Sequence, residues 1–243
     1  MKKAIFSAVA AAVLLSSPAI AADIPVKGPV YKAAAGYNWT GWYGGVNAGY
    51  GFDPTYWLEV PAGTLDEILN LHPQGFFGGV QVGYNWQFRP NWLFGIEADF
   101  QISDINDTYN FTYPGGGASF ATLAIDYFGT VRARLGYVMD RNLFYFTAGG
   151  AYAKFQANVF ADFDANDGLI NGDKWLAGYV VGLGYERAMS GNWRFKIEYL
   201  YLDFAHLDIR GFETGLGTPI ALTGDPYLHI VRLGLNMRFS TGG

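Results

Sequence analysis

Residues 76–100 read FFGGVQVGYNWQFRPNWLFGIEADF. At period two, Phe76, Gly78, Val80, Val82, Tyr84, Trp86 and Phe88 share one face; Phe77, Gly79, Gln81, Gly83, Asn85 and Gln87 share the other. After a turn at Arg89-Pro90-Asn91 the alternation resumes. Trp92, Phe94, Ile96, Ala98, Phe100 and Ile102 then oppose Leu93, Gly95, Glu97, Asp99 and Gln101. This is strand periodicity, with one apolar face and one face of carboxylates, amides and glycine. A soluble core rejects unpaired carboxylates, and a sheet washed by water on its outer face has no use for so many rings.

The same unit recurs along the chain. Asn91-Trp92, Asn142-Leu143 and Asn192-Trp193 each open an aromatic-rich strand, at spacings of 51 and 50 residues. Gly83-Tyr84, Gly136-Tyr137 and Gly184-Tyr185 lie near the end of the strand before. Each repeat holds a short turn, two strands and a long connection. Eight strands result, at residues 40–52, 76–88, 92–102, 120–137, 143–155, 175–187, 193–204 and 228–239. The fifth, FYFTAGGAYAKF, is apolar on both sides, and its facing is ambiguous. Connections at 89–91, 138–142 and 188–192 are short and carry turn-forming residues. Those at 53–75, 103–119, 156–174 and 205–227 are long and polar.

The beginning of the chain, MKKAIFSAVAAAVLLSSPAIAA, has a basic start, an apolar run and a small-x-small site at Ala19-Ile20-Ala21. It reads as a secretory signal peptide over residues 1–21. Residues 22–38, with Pro25 and Pro29, read as a mobile periplasmic leader, and 39–243 as the β domain. There is no cysteine, hence no disulfide framework or thiol chemistry. After Ala21 no apolar run is long enough for a spanning helix.

These features predict an all-β chain: an eight-stranded antiparallel up-and-down transmembrane β-barrel in the outer membrane. Strands of about 9–11 residues cross a bilayer when tilted, apolar side to lipid and polar side to lumen, with short periplasmic turns and long extracellular loops. Trp42, Trp86, Trp92 and Trp193 fall near the turn ends of their strands. Phe76, Phe100, Trp175, Tyr201 and Phe204 fall near the loop ends, which places two interfacial girdles. A soluble periplasmic barrel or sandwich is the competing architecture. Strict short-long alternation and the volume of the rings argue against it, because eight strands enclose room for only a modest set of side chains.

Several stretches are similar to a known family. TGWYGGVNAGYG at 40–51 resembles the first strand of the alphaproteobacterial outer-membrane immunogenic, or porin-family, proteins, which belong to the OmpA-like and opacity-like eight-stranded barrels. KIEYLYLD at 196–203 and VRLGLNMRF at 231–239 resemble that family's seventh and last strands. The resemblance covers the whole mature chain. It implies a Gram-negative outer-membrane location, with lipid and lipopolysaccharide as surroundings and the barrel-assembly machinery as a partner during biogenesis. It also implies that Phe239 is the terminal aromatic assembly signal, although Ser240, Thr241, Gly242 and Gly243 follow it. Members are variously structural surface antigens, small porins and haemin binders.

On the polar faces, Glu97, Asp99, Glu186 and Glu198 are acidic, and Arg132, Arg134, Arg194, Lys196, Arg232 and Arg238 are basic. Buried charges need partners, and arginine supplies paired donors to carboxylates. A structural salt-bridge plug is the expectation, and a narrow wet pore with charge-set selectivity is the alternative. The long loops are acidic, which excludes a nucleic-acid surface. In the third, Asp162, Asp164 and Asp173 are candidate calcium ligands, although Gly168 comes one residue late for a calcium loop. His72, His206 and His229 are the only histidines and the candidate haem ligands. Ser103 and His229 sit near strand ends, but no carboxylate is placed to orient the histidine, so catalysis is not expected. The predicted role is structural and surface-antigenic with a side-chain-filled lumen; a small-solute pore or haemin-binding protein is the alternative. Oligomeric state is not legible.

Overall fold

The computed structural model describes residues 37–52, 56–62, 65–112, 117–162, 167–213 and 219–239. The signal peptide, most of the leader, Asp164 and Ser240 to Gly243 lie outside them.

Twelve strands are present among the described residues. They are β1 (Gly41–Phe52), β2 (Tyr56–Ala62), β3 (Leu65–Leu71), β4 (Gln74–Arg89), β5 (Trp92–Thr112), β6 (Ala118–Met139), β7 (Asn142–Asp162), β8 (Asp167–Ala188), β9 (Trp193–Phe204), β10 (Leu207–Glu213), β11 (Pro219–Gly224) and β12 (Tyr227–Arg238). Eight of them close a ring, β1-β4-β5-β6-β7-β8-β9-β12, every pair antiparallel. Closure leaves that ring no exposed edge. The hairpins β2–β3 and β10–β11 rise from the first and last long connections. They join each other at Thr223↔Glu59, and β10 joins β8 at Phe212↔Leu169.

The second and third long connections differ from the sequence reading. β5 and β6 pair up to Thr112↔Ala118, and β7 and β8 up to Asp162↔Asp167. What reads as polar loop is mostly strand. The reason lies in a reversal of polarity with height. In the lower storey the outward row is apolar, with Phe76 74%, Val131 63% and Phe146 61% exposed. On β7 that row runs from Phe144 to Tyr152, the roughly 9–11 residues a tilted strand needs to cross a bilayer. Above it, Thr108, Thr122, Asn158 and Asn171 stand in register on the outer wall. There Ile105, Leu123, Phe155 and Ile170 point inward and are buried. Lipid outside selects apolar-out; water outside selects polar-out. A period-two reading tuned to one storey therefore sees the other as loop.

The fifth strand's facing is settled: Leu143, Tyr145, Thr147, Ala151, Ala153 and Phe155 face the lumen, and Phe144 and Phe146 face out. Trp42, Trp86, Trp92 and Trp193 are exposed at the turn ends, and Phe76, Phe100 and Trp175 at the loop ends, with Tyr201 half-buried there beside the exposed Tyr179, as two girdles require. Phe204 is a correction. It points inward, is buried, and packs edge-to-face on Phe155 at 5.3 Å between ring centroids.

Inward glycines make room for lumen side chains. A Cβ on Gly184 would stand 2.8 Å from Tyr145 Cε2, and one on Gly49 would stand 2.6 Å from Phe77 Cζ. This is the packing reason for glycine in strand interiors that would otherwise cost stability.

Candidate functional site

The lumen is filled in three layers. The middle layer comes from inward positions of six ring strands: Tyr43 on β1, Glu97 and Asp99 on β5, Arg132 and Arg134 on β6, Tyr145 on β7, Glu186 on β8, and Lys196 and Glu198 on β9, with Arg232 on β12 adding a seventh strand. Strand register sets the pairs. Glu97 is directly opposite Arg132, and Glu186 opposite Lys196. Arg232 is opposite Glu198.

Each charge has several partners. Arg132 donates to Glu97, to Asp99 at 3.2 Å and to Glu198 at 3.1 Å. Arg232 donates to Glu198 at 2.8 Å and to Asp99 at 3.1 Å. Lys196 Nζ sits 2.9 Å from Glu97 and 3.0 Å from Glu198. Arg134 reaches Glu186 at 3.2 Å and Glu97 at 3.5 Å, and donates twice to Asn85 Oδ1. Neutral groups complete the shells. Tyr43 and Tyr145 donate to Glu97 and Glu198 at 2.7 and 2.8 Å, and Thr130 donates to Asp99 at 2.6 Å. An amide chain, Asn47 to Gln81 to Asn236 to Glu186, runs beside them. All eight of these charged side chains are buried, as is Arg194 just below them. Densely connected polar networks of this kind rigidify and specify one packing.

Arg238 stands apart from this set. It lies at the periplasmic rim, donates to the Asn38 carbonyl at 2.6 Å and stacks over Tyr37. The rim forms the bottom layer. Trp39 enters the lumen, fully buried, and packs with Leu93, Val138, Leu143, Tyr145 and Tyr37. Arg194 holds it, its guanidinium 4.8 Å from the indole centroid. Tyr37 and Asn38, which precede the expected boundary at 39, also contact the barrel here. The top layer is apolar, with Phe77, Phe128, Phe155 and Phe204 among its largest members.

Other sequence candidates are not brought together. Asp162 is opposite Asp167, whereas Asp173 is opposite Gln156. At about 3.3 Å per residue the six rungs between them span roughly 20 Å, and Asp173 lies 3.6 Å from Lys154. Asp162 and Asp173 therefore do not form one calcium site, because both strands run straight where a loop would have to fold back. No cluster of three metal-ligating side chains occurs among the described residues. The three histidines have separate settings. His72 N–H donates to Asp107, His206 pairs with Asp225 at 2.9 Å, and His229 Nδ1 lies 2.6 Å from the Tyr199 hydroxyl on the outer wall. They do not converge on a haem-sized site. Ser103 donates to the Ile125 carbonyl, away from His229.

Sequence reasoning missed Tyr43, Tyr145, Asn85, Gln81, Asn47, Thr130 and Asn236 as members of the network. Strand parity was a usable signal for all but Tyr145, which lies on the strand of ambiguous facing. Nothing in the residues before β1 marked Trp39 as a plug.

Comparison with known proteins agrees with this architecture. The sequence model for the outer membrane protein beta-barrel domain matches residues 7–239. The chain is 36% identical to the 31 kDa outer-membrane immunogenic protein of Brucella melitensis, over 98% of this chain and all of that one. It is 28% identical to the 25 kDa outer-membrane immunogenic protein of Brucella ovis, over 86% and 94% of the two chains. Among solved structures it is similar to outer membrane protein OprG of Pseudomonas aeruginosa, at 13% identity and TM-score 0.46, over 82% of this chain and 98% of that one. The protein resides in the Gram-negative outer membrane, surrounded by its lipids and lipopolysaccharide, and it belongs to the outer membrane beta-barrel domain family.

Proposed function

We propose that this barrel is a structural and surface-antigenic component of the outer membrane whose lumen is closed by its own side chains. One observation carries the reading: nine charged side chains interlock across the lumen with almost no exposure, between an aromatic plug below and an apolar layer above. A wet pore needs a continuous polar path with sites weak enough to release an ion. Here each carboxylate that could hold a passing cation is already occupied by an arginine or lysine of the barrel itself. The antigenic part rests on the immunogenic proteins of Brucella to which the chain is similar and on the polar strands that stand above the outer girdle. Assembly by the barrel-assembly machinery, read from the exposed aromatic Phe239, belongs to the same proposal.

The test is conductance of the purified barrel in planar bilayers. Baseline current is the expected result. Steady ion-selective openings whose selectivity changes in Arg132→Met would replace the structural reading with that of a pore.

A further inference from the structure

Among the described residues, the central charges do not balance. Five buried cations, Arg132, Arg134, Arg194, Lys196 and Arg232, face four buried carboxylates, Glu97, Asp99, Glu186 and Glu198. The surplus has a location. Glu97, Asp99 and Glu198 are the close partners of Arg132, Lys196 and Arg232, three against three. Glu186 is left to serve both Arg134, at 3.2 Å, and Arg194, at 3.8 Å. Arg134 has a second carboxylate in Glu97. Arg194 has none.

Apart from Glu186, what surrounds Arg194 is neutral. Its Nε donates to the Tyr37 hydroxyl at 3.0 Å and its Nη2 to the Trp39 carbonyl at 3.4 Å. Its Nη1 faces Glu186 Oε1 only at 3.8 Å, beyond hydrogen-bond reach, and is buried without a hydrogen-bond acceptor. Trp39, with no exposed surface, also leaves its Nε1–H without an acceptor. The guanidinium lies against that same indole. Two orphaned donors thus sit on adjoining side chains, beside one uncompensated charge. Arginine does not shed its proton in proteins, and an unpaired buried charge is strongly destabilising.

We propose that a small monovalent anion of the halide class binds in the lumen beside Arg194 and Trp39, accepts from Arg194 Nη1 and Trp39 Nε1, and fixes the entering segment at residues 37–40 as a plug. A single surplus charge selects a monovalent ion. Nitrogen donors and the positive edges of aromatic rings suit a spherical anion and supply no cation to a second charge. Tyr37 and Asn38, the residues just before Trp39, also line a depression of about 770 Å³ at the periplasmic rim. The site goes beyond the structural role and does not require it, since a barrel that conducts would still present the same two donors.

The test uses the full mature chain refolded in detergent. Its thermal midpoint is followed against sodium chloride and, at matched ionic strength, against sodium sulfate; crystals grown in bromide supply anomalous scattering. The expected result is a saturable rise with chloride or bromide but not with sulfate, and one bromide peak between Trp39 Nε1 and Arg194. Trp39→Phe, which keeps the ring and removes one donor, should weaken the apparent chloride affinity about 10- to 100-fold, the scale of one hydrogen bond to a charged group. Arg194→Met removes the surplus charge and should abolish the chloride dependence. A midpoint that follows ionic strength whatever the anion, or a water at the site and no anomalous peak, would overturn the proposal. Both readouts are taken on the wild-type protein, so a variant that fails to fold does not decide the question.

Discussion

Ile125 and Phe128 both point into the lumen although three positions separate them on one strand. Between them β6 carries one residue more than β7, Asp126, and at the same height its register with β5 also slips by one. Below this bulge the even-numbered residues of β6 face inward, and above it the odd-numbered ones do. A bulge is the standard device for re-aiming side chains in a strand, and here it lies just above the outer aromatic girdle. Deleting Asp126 would force strict alternation and turn either Leu123 and Ile125 or Arg132 and Arg134 the wrong way. We expect the deletion to eliminate the heat-modifiable folded band on gels. Asp126→Ala keeps the register and removes only a partly exposed 3.8 Å contact with Lys154, so it should cost less than about 1 kcal/mol. A folded deletion variant would show that the bulge is not what sets the facing.

Arg132 touches Glu97, Asp99 and Glu198. Arg132→Met fills similar volume but leaves three carboxylates short of a shared cation. Breaking a buried ion pair from one side costs about 3–5 kcal/mol. The urea midpoint of the refolded barrel should fall accordingly, and Lys154→Met, at a partly exposed pair, should scarcely move it. Equal effects from the two variants would mean that water reaches the network.

Phe239 closes the last strand. Its N–H donates to the Trp42 carbonyl at 2.9 Å, and its ring is exposed on the lipid side. Phe239→Ala should lower the amount of folded barrel recovered from outer membranes, while deletion of Ser240 to Gly243 should leave it unchanged or raise it. Normal recovery of the alanine variant would remove Phe239 from the assembly signal.

Asp208, on the extracellular hairpin, accepts from Arg210 Nη2 at 2.9 Å. That hydrogen bond, with the guanidinium charge, holds its carboxyl below the usual value of 3.8. A depressed carboxyl contributes stability above its unfolded pKa and loses it as pH falls through the folded one. The pair is exposed, so the effect belongs to the hairpin's local order rather than to the barrel. Carbon-detected NMR titration should show Asp208 ionising below 3.8, and Arg210→Ala should return it to the ordinary range.

Much of this was legible because two physical rules are strict. Side chains alternate at period two, and lipid demands an apolar outer row; Phe76 to Phe88 and Trp92 to Ile102 obey both, so strand identity and the inward charges followed. The upper storey was illegible for the converse reason. Ser103 to Thr112 has its polar residues outside, and the bulge at Asp126 breaks parity on β6, so the pattern there resembles a loop. Arg238 has the right parity for the network but stands at the end of its strand, where the rim replaces the lumen. Trp39 precedes the first strand, and no periodicity applies to it. Tyr145 was hidden by a strand apolar on both faces, whose orientation depends on its partner Glu198.

The proposed closure of the lumen has two seals in series, and they differ in kind. The lower is Trp39, held by Arg194 and by the Gln87 side chain, which accepts from the Trp39 N–H at 3.1 Å. It belongs to a segment with no ladder of its own. The upper is the apolar layer of Phe77, Phe128, Phe155 and Phe204, built from ring strands paired on both sides. Trp39→Ala should therefore expose the charged layer to the periplasm without opening the barrel. The expected signature is faster hydrogen exchange at the network's tyrosine and amide groups with conductance still at baseline. Adding Phe155→Ala removes a large ring from the centre of the upper seal, at a stability cost of about 3–5 kcal/mol, and only the double variant should leak. Leakage from Trp39→Ala alone would mean that the apolar layer does not close, and that the plug by itself separates a sealed barrel from a pore.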